Sequence, residues 1–300
     1  MADSLKAIHT YSDPGLDKQK LFEYDLSIRI SVDGVTYCIF DSNTGKFLHL
    51  ESFDLSEPGK KLYIPGDKEA TDTSKLSLLF EGELQWLPGS FNKTRLIIDQ
   101  GNSTLVPEAL FNEEEKGKIF DFNIAGGNDP DAELKHDHLN SINAYSIYRV
   151  PASFRKLVSR FFPNATVCHH ANVLIEGLYL KYMNLDNDKM LFVNTARSRI
   201  DILRMKGKKL EYFNSFKYNT ADDYMYYLIF VVEQLGLNPE TIEMIMMGEV
   251  DKHSSLSDLA HKYVRNIKFM KRNEDFRYSF VFDQLPGHYY YNLLNASVCE

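Results

Sequence analysis

The sequence predicts an α/β protein built from two consecutive units with the same order of secondary-structure elements. Residues 26–53 alternate apolar and polar side chains in three short runs separated by turn residues, which indicates a three-stranded antiparallel meander. A second meander of the same kind ends 163 residues later, at Phe216 where the first ends at Phe53. A helical pattern and a further apolar strand follow each meander. Each unit is therefore predicted to form a mixed sheet of meander and parallel strands flanked by helices.

The first unit begins with a strand whose apolar side chains fall at every second position: Leu26, Ile28, Ile30 and Val32. This period of two is typical of a strand with one buried face. Asp33 and Gly34 then supply a tight turn, because both residue types tolerate positive φ. An apolar pattern over residues 76–84 predicts a helix, and residues 94–98 predict the fourth strand.

The second unit repeats this order. Residues 190–193 are apolar, residues 194–198 form the predicted turn, and the segment KKLEYFNSF echoes GKFLHLESF of the first unit. Thr220 and Asp223 have the spacing of a capping box, so a helix is predicted from there to Gly236. Residues 242–247 predict the fourth strand of this unit.

Two segments between these elements, residues 54–73 and 126–131, are predicted to be loops because they are rich in Gly, Pro and Asp. Residues 144–150 predict a strand, and helices are predicted after Pro151 and over about residues 170–182. We assign residues 1–150 to the first unit and 151–300 to the second. A boundary near residue 185 fits the same pattern equally well.

The composition is that of a folded globular protein, because 44% hydrophobic and 25% charged residues provide enough apolar surface for a large core. A net charge of -8 disfavours non-specific binding to nucleic acid, which requires clustered basic residues. The three cysteines have no paired spacing, and no apolar run is long enough to cross a bilayer. These features favour a cytoplasmic protein.

Three strings carry a resemblance to a known family: TLVPEALF at residues 104–111, NAYSIYRVP at 143–151 and FFPNATVCHHANVLIEGL at 161–178. With the repeated topology, they make the chain similar, over about residues 22–295, to an uncharacterised bacterial family. That family has a degenerate version of the actin-like ATPase fold, which belongs to the ribonuclease-H-like folds. Sugar kinases, actin and heat-shock chaperones share it. The resemblance implies two tandem actin-like lobes.

In active members of this superfamily, the resemblance implies, a nucleotide lies between the two halves. The turn after the first strand of each half holds phosphate with backbone N–H groups, and an acid followed by a spacer and a glycine positions magnesium. This assigns cofactor-binding roles to Asp33, Gly34 and Asn194, and to Gly248 at the adenosine position. Asp99, after the fourth strand of the first half, would be the catalytic base.

Both predicted turns depart from that pattern. Asp33 is followed by Gly34 without a spacer, and Asn194-Thr195-Ala196 lacks both the acid and the glycine. We therefore expect a non-catalytic protein that has no cofactor and acts through an unknown protein partner. The alternative is an ATPase or small-molecule kinase with an atypical Mg-ATP site built on Asp33, Gly34, Asn194 and Gly248, with Asp99 as base.

Histidines suggest a third class, a metal-dependent hydrolase. His136 and His138 flank an aspartate, and His169 and His170 are adjacent. We interpret residues 136–138 as a polar loop or helix start and predict no metal site, because neighbouring strand residues point to opposite faces. His169 and His170 are predicted to begin a helix with one ring packed and one exposed. Cys168 is interpreted as a structural thiol.

The aromatic segment at residues 276–291 is the predicted contact surface for the partner. Its three consecutive tyrosines, residues 289–291, cannot all face one core. The opposing interpretation is a strand over residues 277–282 and a helix near Pro286 that pack back on the sheet. The sequence does not define an oligomeric state.

Overall fold

The computed structural model describes residues 7–56, 73–101, 103–124, 131–185 and 188–298. Most of the two predicted loops, over residues 54–73 and 126–131, lies outside these residues. The strands are β1 (Ala7–Ser12), β2 (Tyr24–Ser31), β3 (Gly34–Asp41), β4 (Lys46–Asp54), β5 (Lys93–Asp99), β6 (Ser103–Pro107), β7 (Glu133–Leu139), β8 (Ala144–Val150), β9 (Thr166–His169), β10 (Met190–Thr195), β11 (Arg199–Lys206), β12 (Lys209–Lys217), β13 (Glu243–Gly248), β14 (Asn266–Phe269) and β15 (Arg277–Tyr278).

Helices connect these strands and cover the sheets. The α-helices are α1 (Thr73–Glu81), α2 (Lys116–Asn123), α3 (Ala152–Phe161), α4 (His170–Tyr182), α5 (Ala221–Gln234), α6 (Ser255–Ala260) and α7 (Tyr291–Leu294). The predicted capping box begins α5, where Thr220 Oγ1 accepts the Asp223 N–H and the Asp223 carboxylate accepts the Thr220 N–H. None of the helices in the described part of the chain combines the length and apolar composition that crossing a bilayer requires.

The first sheet has the strand order β1-β4-β3-β2-β5-β9, with β15 pairing with β4. Strands β2, β3 and β4 form the predicted antiparallel meander, and β5 and β9 continue the sheet in parallel beside β2. Leu26, Ile28 and Ile30 of β2 are fully buried, as their alternation predicts.

The second sheet has the order β12-β11-β10-β13-β14. Here too an antiparallel meander precedes two parallel strands. In both sheets the order is therefore third, second and first strand of the meander, followed by the fourth and fifth strands. The mixed α/β architecture is confirmed, whereas duplication of an ancestral unit stays a prediction.

A third, small sheet lies between β5 and β9 in the sequence. Its order is β6-β8-β7, with antiparallel pairing throughout. Residues 136–138 lie in the edge strand β7, so the prediction of a loop or helix start there was wrong. The burial pattern of β7 explains the error: it is half-buried at most positions and lacks the apolar alternation that marks a strand.

The layer between the two large sheets consists of α4 and the C-terminal segment. Val173 of α4 packs with Ile97 of the first sheet, while Leu174 and Leu178 pack with Phe192 of the second sheet. Helices α1 and α3 cover the outer face of the first sheet, and α5 and α6 cover that of the second. The chain passes from one sheet to the other between His169 and Met190. This lies closer to the predicted boundary near residue 185 than to a division after residue 150, which stays a prediction.

The aromatic C-terminal segment is buried in part. Tyr290 and Tyr291 are each 3% exposed, and Phe282 is completely buried against the first sheet. The predicted strand is limited to the two residues of β15, and the helix begins at Tyr291 instead of near Pro286. The segment supplies core packing, but its Phe280 is 68% exposed. Its role as a partner contact surface stays a prediction.

Candidate functional site between the two sheets

The turn of the first hairpin in each sheet lies at the boundary between the two sheets. In the first sheet, Ile30 pairs with Val35 across the turn. In the second sheet, Thr195 pairs with Ile200 in the same way. When these two pairs are superimposed, Arg29 occupies the position that Asn194 occupies in the other sheet.

This correspondence changes the interpretation of the first turn. The acid, spacer and glycine pattern falls on Arg29-Ile30-Ser31, four residues before Asp33, and on Asn194-Thr195-Ala196. Asp33 corresponds instead to Ser198. Sequence reasoning missed Arg29 because the Asp-Gly turn is a strong local signal. The signal that could have identified Arg29 was the equal length of the two hairpin turns: Arg29 directly precedes the pair Ile30–Val35, as Asn194 precedes the pair Thr195–Ile200.

Arg29 connects the two sheets through two short ion pairs. Its Nε lies 2.6 Å from Asp99 Oδ2, and its Nη2 lies 2.6 Å from Glu249 Oε1. Asp99 ends β5 of the first sheet, whereas Glu249 follows β13 of the second. Although burial opposes ionisation, the carboxylates of Glu249 and Asp99 raise the pKa of Arg29 above its ordinary value.

Arg199 makes the corresponding connection from the second sheet. Its Nη2 lies 2.5 Å from Asp99 Oδ1, and its Nε lies 2.9 Å from Asp201 Oδ1. Asp201 also accepts hydrogen bonds from Asn194 Nδ2 at 2.8 Å and from Ser215 Oγ at 2.7 Å. The predicted cofactor ligand Asn194 therefore uses its amide N–H to hold Asp201.

The carboxylate of Asp99 is bound by both arginines. Burial alone would raise its pKa, but Arg199 and Arg29 hold the pKa of Asp99 well below its ordinary value. Asp201 is affected in the same way, because Arg199 outweighs burial and lowers its pKa. A carboxylate that stays ionised between two guanidinium groups is a weak proton acceptor. This environment does not suit Asp99 to the predicted role of catalytic base.

Two histidines complete the cluster. His170 Nδ1 lies 3.3 Å from Arg199 Nη2, and the rings of His169 and His170 lie 4.3 Å apart. Burial and the charge of Arg199 lower the pKa of His170 to about 4. Burial, together with the neighbouring His170 and Arg199, lowers that of His169. Both rings are buried, so the prediction that one would be exposed was wrong.

A separate contact joins the second hairpin to the first sheet. Arg197 Nη1 lies 2.7 Å from Asp54 Oδ2 and 3.0 Å from Ser56 Oγ. Asp33 and Gly34 line a small cavity beside this pair, with a volume of about 50 Å³. Asp33 Oδ1 accepts a hydrogen bond from Ser31 Oγ at 2.6 Å.

The two glycines predicted to bind nucleotide are both required by close backbone packing. A Cβ atom at Gly34 would lie 2.1 Å from the carbonyl oxygen of Phe53. Gly248 has a φ of +89°, and a Cβ atom there would lie 2.2 Å from the carbonyl oxygen of Thr195. The Gly248 N–H donates to the His288 carbonyl at 2.9 Å. The C-terminal segment therefore lies against the predicted adenosine position.

Metal and thiol chemistry have little support at the other predicted positions. Across residues 7–298, apart from the segments left undescribed, no group of three or more His, Cys, Asp or Glu side chains could hold a metal ion. Cys168 is disulfide-bonded, so the expectation of a free structural thiol was wrong. Cys38 is a buried free cysteine whose pKa is raised by burial.

Solved structures of known proteins share this arrangement of two sheets. A protein from Bacteroides thetaiotaomicron with an actin-like ATPase fold and unknown function superimposes with a TM-score of 0.69 at 25% sequence identity. The alignment covers 85% of this chain and 93% of that one. The PilM–PilN type IV pilus biogenesis complex matches with a TM-score of 0.60 at 13% identity, over 92% of this chain and 98% of that one. The protein has the actin-like ATPase fold.

The sequence also identifies a family. The chain belongs to the family described as Protein of unknown function (DUF3822), whose profile matches residues 13–267. A search among curated proteins found no match. The resemblance to an uncharacterised family with this fold is therefore confirmed.

Replacing Arg199 with methionine should strongly destabilise the protein. Arg199→Met leaves Asp201 buried without its cationic partner, and loss of one member of a buried pair costs about 3 to 5 kcal/mol. Urea unfolding monitored by circular dichroism would measure this loss. The matched control is Arg265→Met, which removes an exposed pair with Glu240 and should cost under about 1 kcal/mol. Equal losses in the two variants would contradict the assigned role of Arg199.

The stability of the protein should fall as the pH is lowered from about 6.5 to about 4. In this window His170 binds a proton in the unfolded chain but stays neutral in the folded one, so acid favours unfolding. The difference between these pKa values corresponds to about 3 kcal/mol for His170 alone.

His170→Asn should remove that part of the pH dependence, as measured by the free energy of unfolding at several pH values. His288, whose pKa is also lowered by burial, contributes equally to both proteins. The pKa of His169 is lowered in part by its neighbour His170, so the difference reports His170 together with its effect on His169. His253→Asn, at an exposed position, is the control and should leave the profile unchanged. An unchanged profile in His170→Asn would show that His170 titrates normally.

Proposed function

We propose that this protein is a non-catalytic member of the actin-like fold that acts through contacts with other proteins. The observation that carries the proposal is the pair of arginines, Arg29 and Arg199, whose charges are compensated by Asp99, Asp201 and Glu249. These side chains occupy the region between the sheets where an active relative would hold Mg-ATP. The remaining cavity of about 50 Å³ is well below the roughly 300 Å³ of the smallest usual ligand pockets.

Electrostatics supports the same conclusion. Three arginines and five carboxylates meet in this region, so it carries more negative than positive charge: Arg29, Arg197 and Arg199, with Asp33, Asp54, Asp99, Asp201 and Glu249. A nucleotide polyphosphate would add further negative charge. It would have to break existing ion pairs to gain favourable contacts. No cofactor is therefore part of the proposal.

A thermal shift titration with Mg-ATP tests the non-catalytic part of the proposal. We expect no rise in melting temperature for the wild-type protein, whereas a ligand at 100 times its Kd would stabilise it by about 2.7 kcal/mol. Asp33→Ala, and Asp121→Ala as an exposed acidic control, should respond in the same way.

A rise with Mg-ATP that Asp33→Ala abolishes and Asp121→Ala retains would contradict the proposal. It would favour an ATPase or small-molecule kinase with an atypical site on Asp33, Gly34, Asn194 and Gly248. Asp99 would then be the candidate base. ATP hydrolysis measured on the same preparations would separate binding from catalysis.

For the partner, we favour the outward face of α5 as the contact surface over the aromatic C-terminal segment, in which Phe282, Tyr290 and Tyr291 are buried. Tyr226 and Phe230 are 64% and 43% exposed and stack with ring centroids 6.2 Å apart. Tyr227 extends the same surface and stacks on Phe216 of the edge strand β12 at 4.7 Å. Exposed aromatic clusters are typical of protein interaction sites. The PilM–PilN type IV pilus biogenesis complex matches the fold of this protein, which supports the proposal of a protein partner.

Disrupting this surface should weaken partner binding without unfolding the protein. We expect a variant carrying Tyr226→Ser and Phe230→Ser to keep its melting temperature and to give at least about fivefold less crosslinked partner in cells. Quantitative mass spectrometry of the crosslinked complexes would measure the yield. Leu78→Ser, which changes a 65% exposed apolar residue on α1, is the matched control. Undiminished crosslinking in the double variant would exclude this face as the contact surface.

A further inference from the structure

A second cavity lies away from the ion pairs between the sheets. It has a volume of about 350 Å³ and is formed by β7, β9, the start of α4 and the C-terminal segment. We call it the β7 cavity and define it by His136, Asp137, His138, Asn172, Glu176 and Val298. Its volume falls within the range of small-molecule sites, unlike that of the cavity at Asp33.

Asn172 provides an unsatisfied acceptor in the wall of this cavity. The residue is only 5% exposed, and its Nδ2 donates to Asp137 Oδ2 at 2.7 Å. Its Oδ1 is buried and accepts no hydrogen bond. Leaving a buried amide oxygen unpaired destabilises the folded state, so a ligand that donates to this atom gains binding energy.

Two carboxylates provide further acceptors. Asp137 Oδ2 accepts from Tyr148 Oη at 2.8 Å as well as from Asn172, while no described residue donates to its Oδ1. Glu176 Oε1 accepts from Ser141 Oγ at 2.9 Å, and its Oε2 likewise has no donor among the described residues. Asn172 and Glu176 are four residues apart on α4, so they lie on one face of that helix.

Acceptors that lack donors define the chemistry of a ligand. A primary ammonium group carries three N–H donors and a positive charge, and its hydrogen bonds to carboxylates are strengthened by that charge. Burial raises the pKa of Asp137, because little solvent reaches this carboxylate. Leu139 and Val167 also line the cavity and offer apolar contact to a hydrocarbon stem.

We propose that the β7 cavity binds a primary ammonium group carried on an aliphatic stem, through Asp137, Asn172 and Glu176. Such a group can come from a free small amine or from a lysine side chain of a peptide. The site is independent of the proposed absence of nucleotide binding, because it shares no residue with the region around Asp99 and Arg199.

Calorimetric titration of the full chain tests this site. We expect pentylamine and Nα-acetyl-lysine methylamide, whose side-chain ammonium group is free, to bind. Pentan-1-ol, which has the same stem as pentylamine without the charge, should give no binding. Tighter binding of the lysine derivative would assign the site to a peptide ligand, whereas tighter binding of pentylamine would assign it to a free amine. Both outcomes support an ammonium site.

Variants connect binding to the named residues. Asp137→Asn should weaken the Kd of the tighter amine by at least about tenfold, because the charged acceptor is lost. Glu176→Gln should weaken it as well, and it serves if Asp137→Asn does not fold. Glu133→Gln, an exposed acid on the same strand, should leave the Kd unchanged. Binding of the alcohol as tight as that of the amine, no binding of either amine at millimolar concentration, or unchanged Kd values in both cavity variants would overturn the proposal.

Discussion

The ionised carboxylate of Asp99, bound by Arg29 and Arg199, is the contact on which the relative position of the two sheets depends. One arginine comes from the first sheet and one from the second. Moving the sheets apart would break the Arg199–Asp99 and Arg29–Glu249 pairs, while Arg29–Asp99 and Arg199–Asp201 would remain within their own sheets. Loss of the two cross-sheet pairs is unfavourable because Asp99 and Arg199 are buried and the side chain of Arg29 is nearly so. A pair of large apolar residues could hold the sheets together with similar energy, but it would tolerate sliding. Directional ion pairs instead define one alignment of the two first hairpins.

The two polar regions of the molecule differ in how completely their polar groups have hydrogen-bond or ion-pair partners. Between the sheets, Asp201 has partners in Arg199, Asn194 and Ser215, and the charges of Arg29 are compensated. In the β7 cavity, by contrast, Asn172 keeps an unpaired oxygen. A ligand that donates to the unpaired acceptors of the β7 cavity would bind favourably. A ligand between the sheets would first have to break existing ion pairs. The proposed ligand site therefore lies at the small third sheet, away from the ion pairs between the two large sheets.

Much of the fold could be predicted from the sequence because its signals are local. Alternation in β2, turn residues and the capping box at Thr220 depend on neighbours within a few positions, and the two meanders and their order follow from them. The site is different. The role of Arg29 depends on its hairpin register and on Asp99, 70 residues away, and on Glu249 in the other sheet.

The same reason explains the other errors. Both His169 and His170 are buried because Arg199 and the aspartates beside it come from distant strands, which an isolated helix start does not reveal. Of the three tyrosines at residues 289–291, Tyr290 and Tyr291 are buried against the first sheet and α4, whereas Tyr289 is only partly buried. Strand β7 has polar residues on both faces, so its period carries no apolar signal.

The return of the C-terminal segment to the first sheet has a consequence for how the protein folds. β15 pairs with β4, and Phe282 and Leu293 fill the core beside Cys38 and Leu50. These contacts join residues more than 200 positions apart, and the second sheet is synthesised between them. The first half therefore emerges from the ribosome with one apolar face uncovered, and it must wait for the end of the second half before that face is closed. The order of synthesis thus makes the last residues of the chain a requirement for closing the core of the first sheet.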